Sequence, residues 1–240
     1  MNSYKEGENM KYNKVIKAKF IERPNRFIAY CKIGNEVEKV HVKNTGRCRE
    51  LLIPDCTVYL EEGNNPNRKT KYSLIAVQKG SRLINMDSQV PNKVVYEALE
   101  NKEILLPHLD EDIEFIKAEK TYESSRFDIY LETRNKKIFI EIKGVTLEQD
   151  NIVSFPDAKT ERGVKHIKEL IKAKSDGYES YIIFVIQMSD VEYFTPNKKM
   201  HLELADALQE ASNNGVNILA YDCNVTPDSI KIKDSVKVIL

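Results

Sequence analysis

The side chains of Asp128, Glu141 and Lys143 have the types and the spacing that metal-dependent phosphate chemistry requires. They lie in a stretch, 125–146, where apolar and polar residues alternate on both sides of a short polar turn, which predicts two antiparallel strands. Because strand side chains point alternately to opposite faces, we expect the apolar residues on one buried face and the three polar residues on the other. Opposed residues lie about 5 Å apart and diagonal ones about 7–8 Å, so all three are within reach of one ion.

The turn sets the expected pairing of the two strands. A two-residue turn at 135–136 would place Arg134 opposite Lys137 and Asp128 opposite Lys143. The residues expected on the buried face are Phe127, Ile129, Leu131, Ile138, Ile140 and Ile142.

Two carboxylates beside an amine suit a hard divalent cation. Mg²⁺ prefers oxygen ligands and binds through one or two carboxylates together with phosphate oxygens, so Asp128 and Glu141 are candidate ligands of Mg²⁺ or Mn²⁺. Lys143 would support the attacking water and the developing charge on a phosphate. This D-x12-E-x-K arrangement on a hairpin resembles the active site of the PD-(D/E)xK nuclease superfamily. A solvated strand face is the alternative, because Glu-x-Lys pairs are common on exposed strands.

The distribution of charge divides the chain into unlike halves. The 240 residues allow one large domain or two small ones, and the formal net charge is zero. Between Lys11 and Arg82, however, 16 Lys and Arg stand against 7 Asp and Glu. Such asymmetry suggests a module that binds a polyanion such as DNA, joined to a more acidic module. We place the boundary near residue 85, with domains at 1–85 and 86–240; a chance imbalance of solvated faces is the alternative.

The cysteines and the apolar runs bear on the compartment. Cys31, Cys48, Cys56 and Cys223 form neither a Cys-x-x-Cys pair nor a metal-ligand spacing, which favours unpaired thiols in a reducing compartment. The sequence contains no signal-peptide pattern and no apolar run of about 20 residues. We therefore expect a cytoplasmic protein without a membrane partner.

Five short alternating segments between 14 and 80 are separated by turn signals, which predicts a small all-β unit. A five-stranded OB-type barrel fits this count, as do other small barrels. Three clusters of basic residues fall at strand ends and loops, where they would contact DNA phosphates; solvated loop charges are the alternative. The clusters are Arg23 with Arg26, Arg47 with Arg49, and Arg68 with Lys69 and Lys71.

The second half alternates helices and strands, which predicts an α/β domain. We expect helices over 92–104, 155–177 and 200–213, a strand near 113–120, and further strands over 181–186, 216–221 and 230–240. The run at 181–186 should be parallel to the second strand of the hairpin, with Gln187 near its carboxyl end. Glu97 lies at the edge of the first helix. In the second helix, Lys159, Arg162, Lys165 and His166 suit phosphate contacts, with a solvated helix as the alternative.

Several longer blocks, in order along nearly the whole chain, resemble the sugar fermentation stimulation protein A family. They include VKNTGRCRELLIP (42–54), IEIKGVTL (140–147), FPDAKTERGVKHIKEL (155–170) and FVIQMSDVEYFTP (184–196). The resemblance implies an N-terminal OB-type domain, a C-terminal restriction-endonuclease-like domain, DNA binding, and a link to the regulation of sugar metabolism. It also implies a nuclease-type site at Asp128, Glu141 and Lys143, with Glu97 as the acidic residue of the first helix.

Two functions remain open at this stage. The chain is either a metal-dependent DNA nuclease or a non-catalytic DNA-binding regulator of sugar (maltose-type) fermentation genes. A sugar-metabolising enzyme has little support, because the sequence contains neither a Gly-rich phosphate loop nor a nucleophile elbow. The sequence leaves the oligomeric state open, with a homodimer as one possibility.

Overall fold

The computed structural model describes residues 10–44, 46–65 and 67–240. The disordered lead predicted at 1–10 therefore lies outside the described residues except for Met10, which is buried. Among the helices described, none is both long and apolar enough to cross a bilayer.

The N-terminal part of the chain forms a closed barrel of five strands. Its strands are β1 (Val15–Asn25), β2 (Ile28–Ile33), β3 (Glu36–Val42), β4 (Thr57–Glu62) and β5 (Tyr72–Lys79). Neighbours in the order β3-β2-β1-β4-β5 pair antiparallel, and a parallel pairing of β3 with β5 closes the ring. This topology confirms the OB-type barrel, because it identifies which of the small barrels the strand count allowed.

Period-two alternation builds the barrel interior, as the sequence pattern predicts. In β1, Ala18 and Phe20 are buried whereas Lys17 and Lys19 are exposed. A further strand that the sequence analysis missed, β6 (Arg82–Asn85), pairs antiparallel with β5 after a turn at Gly80. The backbone of Gly80 has φ +58°, a conformation that favours glycine.

The C-terminal part is an α/β domain built on a six-stranded mixed sheet. Its elements are α1 (Val90–Glu100), β7 (Phe115–Tyr122), β8 (Ser125–Glu132), β9 (Lys137–Val145), β10 (Leu147–Gln149), β11 (Ile152–Phe155), α2 (Glu161–Ser175), β12 (Glu179–Ile186), β13 (Tyr193–Pro196), α3 (Leu202–Asn213), β14 (Asn217–Thr226), β15 (Ser229–Ser235) and β16 (Lys237–Val238). The large sheet has the order β15-β14-β12-β9-β8-β7, and a small sheet has the order β10-β11-β13-β16. As predicted, β9 and β12 are parallel, and β12 is buried on both faces.

Helices cover both faces of the large sheet. The apolar side of α1, with Val94 and Val95, packs with Ile140 and Ile183 in one hydrophobic cluster. Helices α2 and α3 belong to a second cluster on the other face, which continues into the barrel interior. The barrel and the α/β domain therefore share a hydrophobic core rather than meeting only through a linker.

Two predicted segments are wrong in detail. The helix predicted over 155–177 begins only at Glu161, because 152–155 forms β11 and a cis peptide bond joins Phe155 to Pro156. Thr160 caps the helix by accepting a hydrogen bond from the Gly163 N–H at 3.1 Å. The single strand predicted over 230–240 is divided into β15 and β16, which belong to different sheets.

Buried polar contacts also fix the barrel to the α/β domain. The carboxylate of Glu148, which is only 6% exposed, pairs with Lys79 at 2.6 Å and with Arg82 at 3.1 Å. Gln187, at the carboxyl end of β12, donates from Nε2 to Asn85 Oδ1 at 2.9 Å and to the Asp87 carbonyl at 3.0 Å. Two of the basic residues of the first half, Lys79 and Arg82, therefore form ion pairs with the α/β domain.

Candidate metal centre

The hairpin that carries the candidate site is present, but its pairing differs by two residues from the prediction. Glu132, not Arg134, lies opposite Lys137, because the turn contains four residues, 133–136, instead of two. The Glu111 carboxylate stabilises this longer turn by accepting from Thr133 Oγ1 at 2.6 Å and from the Asn135 N–H at 3.0 Å. A shift of two preserves which residues share a face but changes which residues are neighbours.

The prediction that six apolar residues share one face is wrong for Phe127. The other five pack in the cluster that contains α1, whereas Phe127 packs on the opposite side, with its ring centroid 5.1 Å from that of Phe139. The alternation of β8 is therefore interrupted at Asp128. Its side chain turns toward β9, where Oδ2 accepts a hydrogen bond from the Ile142 N–H at 2.7 Å.

Asp128 lies between β9 and the first turn of α1. Its Oδ1 accepts a hydrogen bond from Asn92 Nδ2 at 2.8 Å, a contact that the sequence analysis did not foresee. Burial, followed by the negative charge of Glu141, raises the pKa of Asp128 to about 6. The two carboxylates are thus close enough to repel one another inside the protein.

Glu141 is 2% exposed, and its two carboxylate oxygens lie in different environments. Oε1 accepts from Lys143 Nζ and lies 2.6 Å from His166 Nδ1 on α2. Oε2 is buried and has no hydrogen-bond partner among the described residues. Burial acts to raise the pKa of Glu141, but the hydrogen bond from His166 and the charge of Lys143 outweigh it, so the pKa is lowered.

These environments fit a divalent cation. A buried carboxylate oxygen without a donor is costly unless a cation or another partner satisfies it. Glu141 Oε2 offers such an oxygen, and the repulsion between Asp128 and Glu141 would be relieved by positive charge. The Lys143 side chain is 18% exposed, so the cluster reaches solvent on that side. Asp128 and Glu141 could therefore hold such an ion.

Glu97, the fourth predicted catalytic residue, is engaged elsewhere in the structure. Its Oε2 accepts from the Met10 N–H at 2.8 Å, and its Oε1 lies 3.6 Å from Lys93 Nζ. Burial raises the pKa of Glu97. From α1, it is Asn92 rather than Glu97 that contacts the hairpin carboxylates.

Two of the predicted basic clusters come together on the barrel. Arg23, Arg26, Arg47 and Arg49 line a surface cavity of about 490 Å³. The guanidinium of Arg23 donates from its two terminal nitrogens to four backbone carbonyls at 2.7–2.9 Å, so the fold occupies these donors, whereas its buried Nε has no partner among the described residues. The other three side chains are exposed. The cavity therefore offers exposed arginines arranged around one structural arginine.

The third barrel cluster lies apart from this cavity. Arg68 donates from Nη2 to Ser73 Oγ at 2.6 Å, and Lys71 lies 3.5 Å from the Glu62 carboxylate. Lys69 is exposed. None of the three lines the arginine cavity.

The basic residues near α2 extend toward the candidate centre. Lys159, Arg162 and Lys165 are exposed, and the last two line a cavity of about 320 Å³ together with Arg126 and His166. Arg126, from β8, was not among the predicted DNA-binding residues. Because His166 also contacts Glu141, this second basic cavity is separated from the Glu141 carboxylate by a single side chain.

Two family models match the chain, one over each part of the fold. Residues 21–86 match the model described as SfsA N-terminal OB domain, and residues 89–229 match the one described as Sugar fermentation stimulation protein RE domain. Together they span most of the sequence and both described domains.

Relatives resemble the chain over nearly its full length. The sugar fermentation stimulation protein homolog of Clostridium beijerinckii is 59% identical over 96% of this chain and 100% of its own. The homolog of Ruminiclostridium cellulolyticum is 57% identical over the same shares. Among solved structures, that of Pyrococcus furiosus SfsA in complex with Ca²⁺ superimposes with a TM-score of 0.86 at 29% identity, covering 96% of this chain and 98% of that chain.

Proposed function

Because the chain belongs to the sugar fermentation stimulation protein family, we propose that it binds DNA and carries a magnesium-dependent phosphodiesterase site. The observation that carries the proposal is the pair of carboxylates, the half-buried Asp128 and the buried Glu141, with Lys143 beside Glu141 and with Glu141 Oε2 unpartnered among the described residues. No Gly-rich phosphate loop or nucleophile elbow offers a competing site in the sequence.

Each residue of the cluster has a distinct role in this proposal. Asp128 and Glu141 would hold Mg²⁺ or Mn²⁺ through carboxylate oxygens, which such ions prefer. A bound ion of this kind supplies Lewis-acid activation of a phosphodiester and of water. The ammonium of Lys143, already paired with Glu141, would stabilise negative charge that develops on the phosphate. Asn92 keeps the Asp128 carboxylate oriented through its hydrogen bond to Oδ1.

A solved relative supports a hard cation as a ligand in this family. The Pyrococcus furiosus relative was solved in complex with Ca²⁺, which takes the same class of oxygen ligands as Mg²⁺. The basic cavity beside His166 supports a phosphate backbone as the substrate, because Arg126, Arg162 and Lys165 place positive charge next to the carboxylates.

A cleavage experiment tests the proposal. The purified chain should cut single- or double-stranded DNA in Mg²⁺ or Mn²⁺ and not in EDTA, and Glu141→Gln should abolish the cleavage. Lys168→Ala is a matched control, because Lys168 is exposed on α2 and pairs only with Glu203 among its described contacts. Cleavage that persists in Glu141→Gln, or no cleavage by the wild type over a broad panel of substrates, would refute the phosphodiesterase.

The arginine cavity on the barrel favours a second function, that of a DNA-binding regulator without turnover. In that case, binding should weaken steeply with salt, since contacts to phosphates release counterions. Arg47→Ala should weaken it further, because Arg47 is exposed at the cavity, whereas Glu141→Gln should leave it unchanged. DNA binding that is absent or insensitive to salt would exclude this function.

A further inference from the structure

A hydrogen-bonded chain leads from the surface of α2 to the candidate metal centre. Arg162 donates from Nε to His166 Nε2 at 3.2 Å, and His166 Nδ1 lies 2.6 Å from Glu141 Oε1. His166 is 5% exposed, so both ring nitrogens depend on protein partners. From the sequence, Arg162 is predicted to contact DNA phosphates, whereas in the structure it is linked through His166 to Glu141.

The direction of these hydrogen bonds follows from the chemistry of the partners. A guanidinium can only donate, so His166 Nε2 must accept and carries no proton. A neutral imidazole has one N–H, which therefore resides on Nδ1 and donates to Glu141 Oε1. Arg162 thus selects the tautomer of His166 that is able to hold the carboxylate.

We propose that Arg162 and His166 are positioning residues, which hold Glu141 through Oε1 so that Oε2 stays free for a divalent cation. This inference rests on the proposed function for its ligand, but its geometry is present without the ion. Residues behind a metal ligand orient it, and losing one typically costs about 10–100-fold in metal affinity. With His166 on Oε1, that oxygen of Glu141 has two partners, His166 and Lys143, whereas Oε2 has none among the described residues.

The first test observes the tautomer directly in the metal-free protein. A long-range ¹H–¹⁵N correlation spectrum should show His166 with its proton on Nδ1 in the wild type and a mixture of tautomers in Arg162→Met. Lys168→Met is the matched control, because Lys168 is exposed on the same helix and pairs with Glu203 rather than with His166. A proton on Nε2 in the wild type would overturn the proposal.

The second test measures Mn²⁺ affinity by calorimetry without DNA. Arg162→Met should weaken binding about tenfold and His166→Leu by up to about 100-fold, whereas Lys168→Met should not change it. His166→Asn keeps a donor at the position of Nδ1, since Asn Nδ2 is also attached to Cγ, and should restore much of the affinity. Arg162→Met should then cause no further loss, because the asparagine needs no partner to select its donor.

The outcomes separate this inference from the proposed function. Unchanged Mn²⁺ affinity in Arg162→Met would overturn the positioning role even if the wild type cleaves DNA. Weakened Mn²⁺ binding in that variant would support the positioning role even if the wild type cleaves no DNA, which would refute the phosphodiesterase alone. A wild-type chain that binds no Mn²⁺ would overturn both.

Discussion

Relative to the wild type, Asp128→Asn should gain stability in the metal-free protein as the pH rises from acid to neutral, although it removes a proposed metal ligand. Burial and the charge of Glu141 raise the pKa of Asp128 to about 6, so its ionised form is disfavoured in the folded chain. Asparagine has nearly the shape of the protonated side chain and carries no charge at any pH. Its NH2 replaces one of the two oxygens that accept from Asn92 and Ile142, and the cost of that lost hydrogen bond does not vary with pH. The wild type alone therefore bears the cost of ionising a buried carboxylate.

The sign and size of the effect follow from the two pKa values. In the unfolded chain Asp titrates near its ordinary value of 3.8, and in the folded chain near about 6. Below the lower value both states are protonated, and the cost is absent. Between the two values the unfolded state has lost its proton and the folded state has not, so wild-type stability falls by about 1.4 kcal/mol per pH unit. Above the higher value the accumulated deficit is constant at about 3 kcal/mol.

Urea denaturation in EDTA over this pH range measures the effect. The difference in unfolding free energy between Asp128→Asn and the wild type should grow by about 3 kcal/mol from low to neutral pH. Glu141→Gln should behave in the opposite way, because the pKa of Glu141 is lowered and its ionised form is stabilised by His166 and Lys143. Mn²⁺ should stabilise the wild type and not Asp128→Asn. If the difference in unfolding free energy between Asp128→Asn and the wild type does not vary with pH, the pKa of Asp128 is not raised in the folded protein.

Three further predictions concern other parts of the chain. Arg47→Ala should reduce the slope of log affinity for DNA against log salt by about 1, measured by fluorescence anisotropy, if the exposed guanidinium contacts one phosphate. A thiol reagent at mildly alkaline pH should label Cys56 before Cys31, because Cys56 is half-buried, whereas burial raises the pKa of Cys31 to about 12; mass spectrometry identifies the labelled residue. Gly144→Ala should destabilise the protein by about 1–3 kcal/mol in thermal denaturation, because the added Cβ would lie 2.6 Å from Gln187 Oε1; an unchanged midpoint would contradict this packing.

The sequence predicted the elements of the site better than their pairing. Alternation along 125–146 identified both strands of the hairpin, because period two is a local property of the chain. The register depends on the turn, which the Glu111 carboxylate lengthens from a distant part of the sequence. The predicted face of Phe127 was wrong because helices cover both faces of the sheet. An apolar side chain can therefore be buried on either side.

The residues that support the carboxylates could not be derived from spacing. Asn92 reaches Asp128 because α1 packs across the hairpin, and His166 reaches Glu141 because α2 packs on the opposite face. Neither contact leaves a periodic signal. The block that contains His166 was noted for its positive charge, and that charge suggested only phosphate contacts for Arg162. An arginine four residues before a histidine on a helix is a signal that could have suggested the pair, since side chains at this spacing meet.

The cost of ionising Asp128 bears on the choice between the two functions. A protein that only binds DNA through its barrel needs no acidic pair in the α/β domain, yet an ionised Asp128 lowers stability by about 3 kcal/mol. Proteins are stable by only about 5–15 kcal/mol, so this is a substantial share. The two negative charges repel one another, but both attract a cation, and a bound cation would therefore offset the cost of ionising Asp128. Together with Glu141 Oε2, which has no partner among the described residues, this balance favours the proposed cation-dependent function of the α/β domain over binding alone.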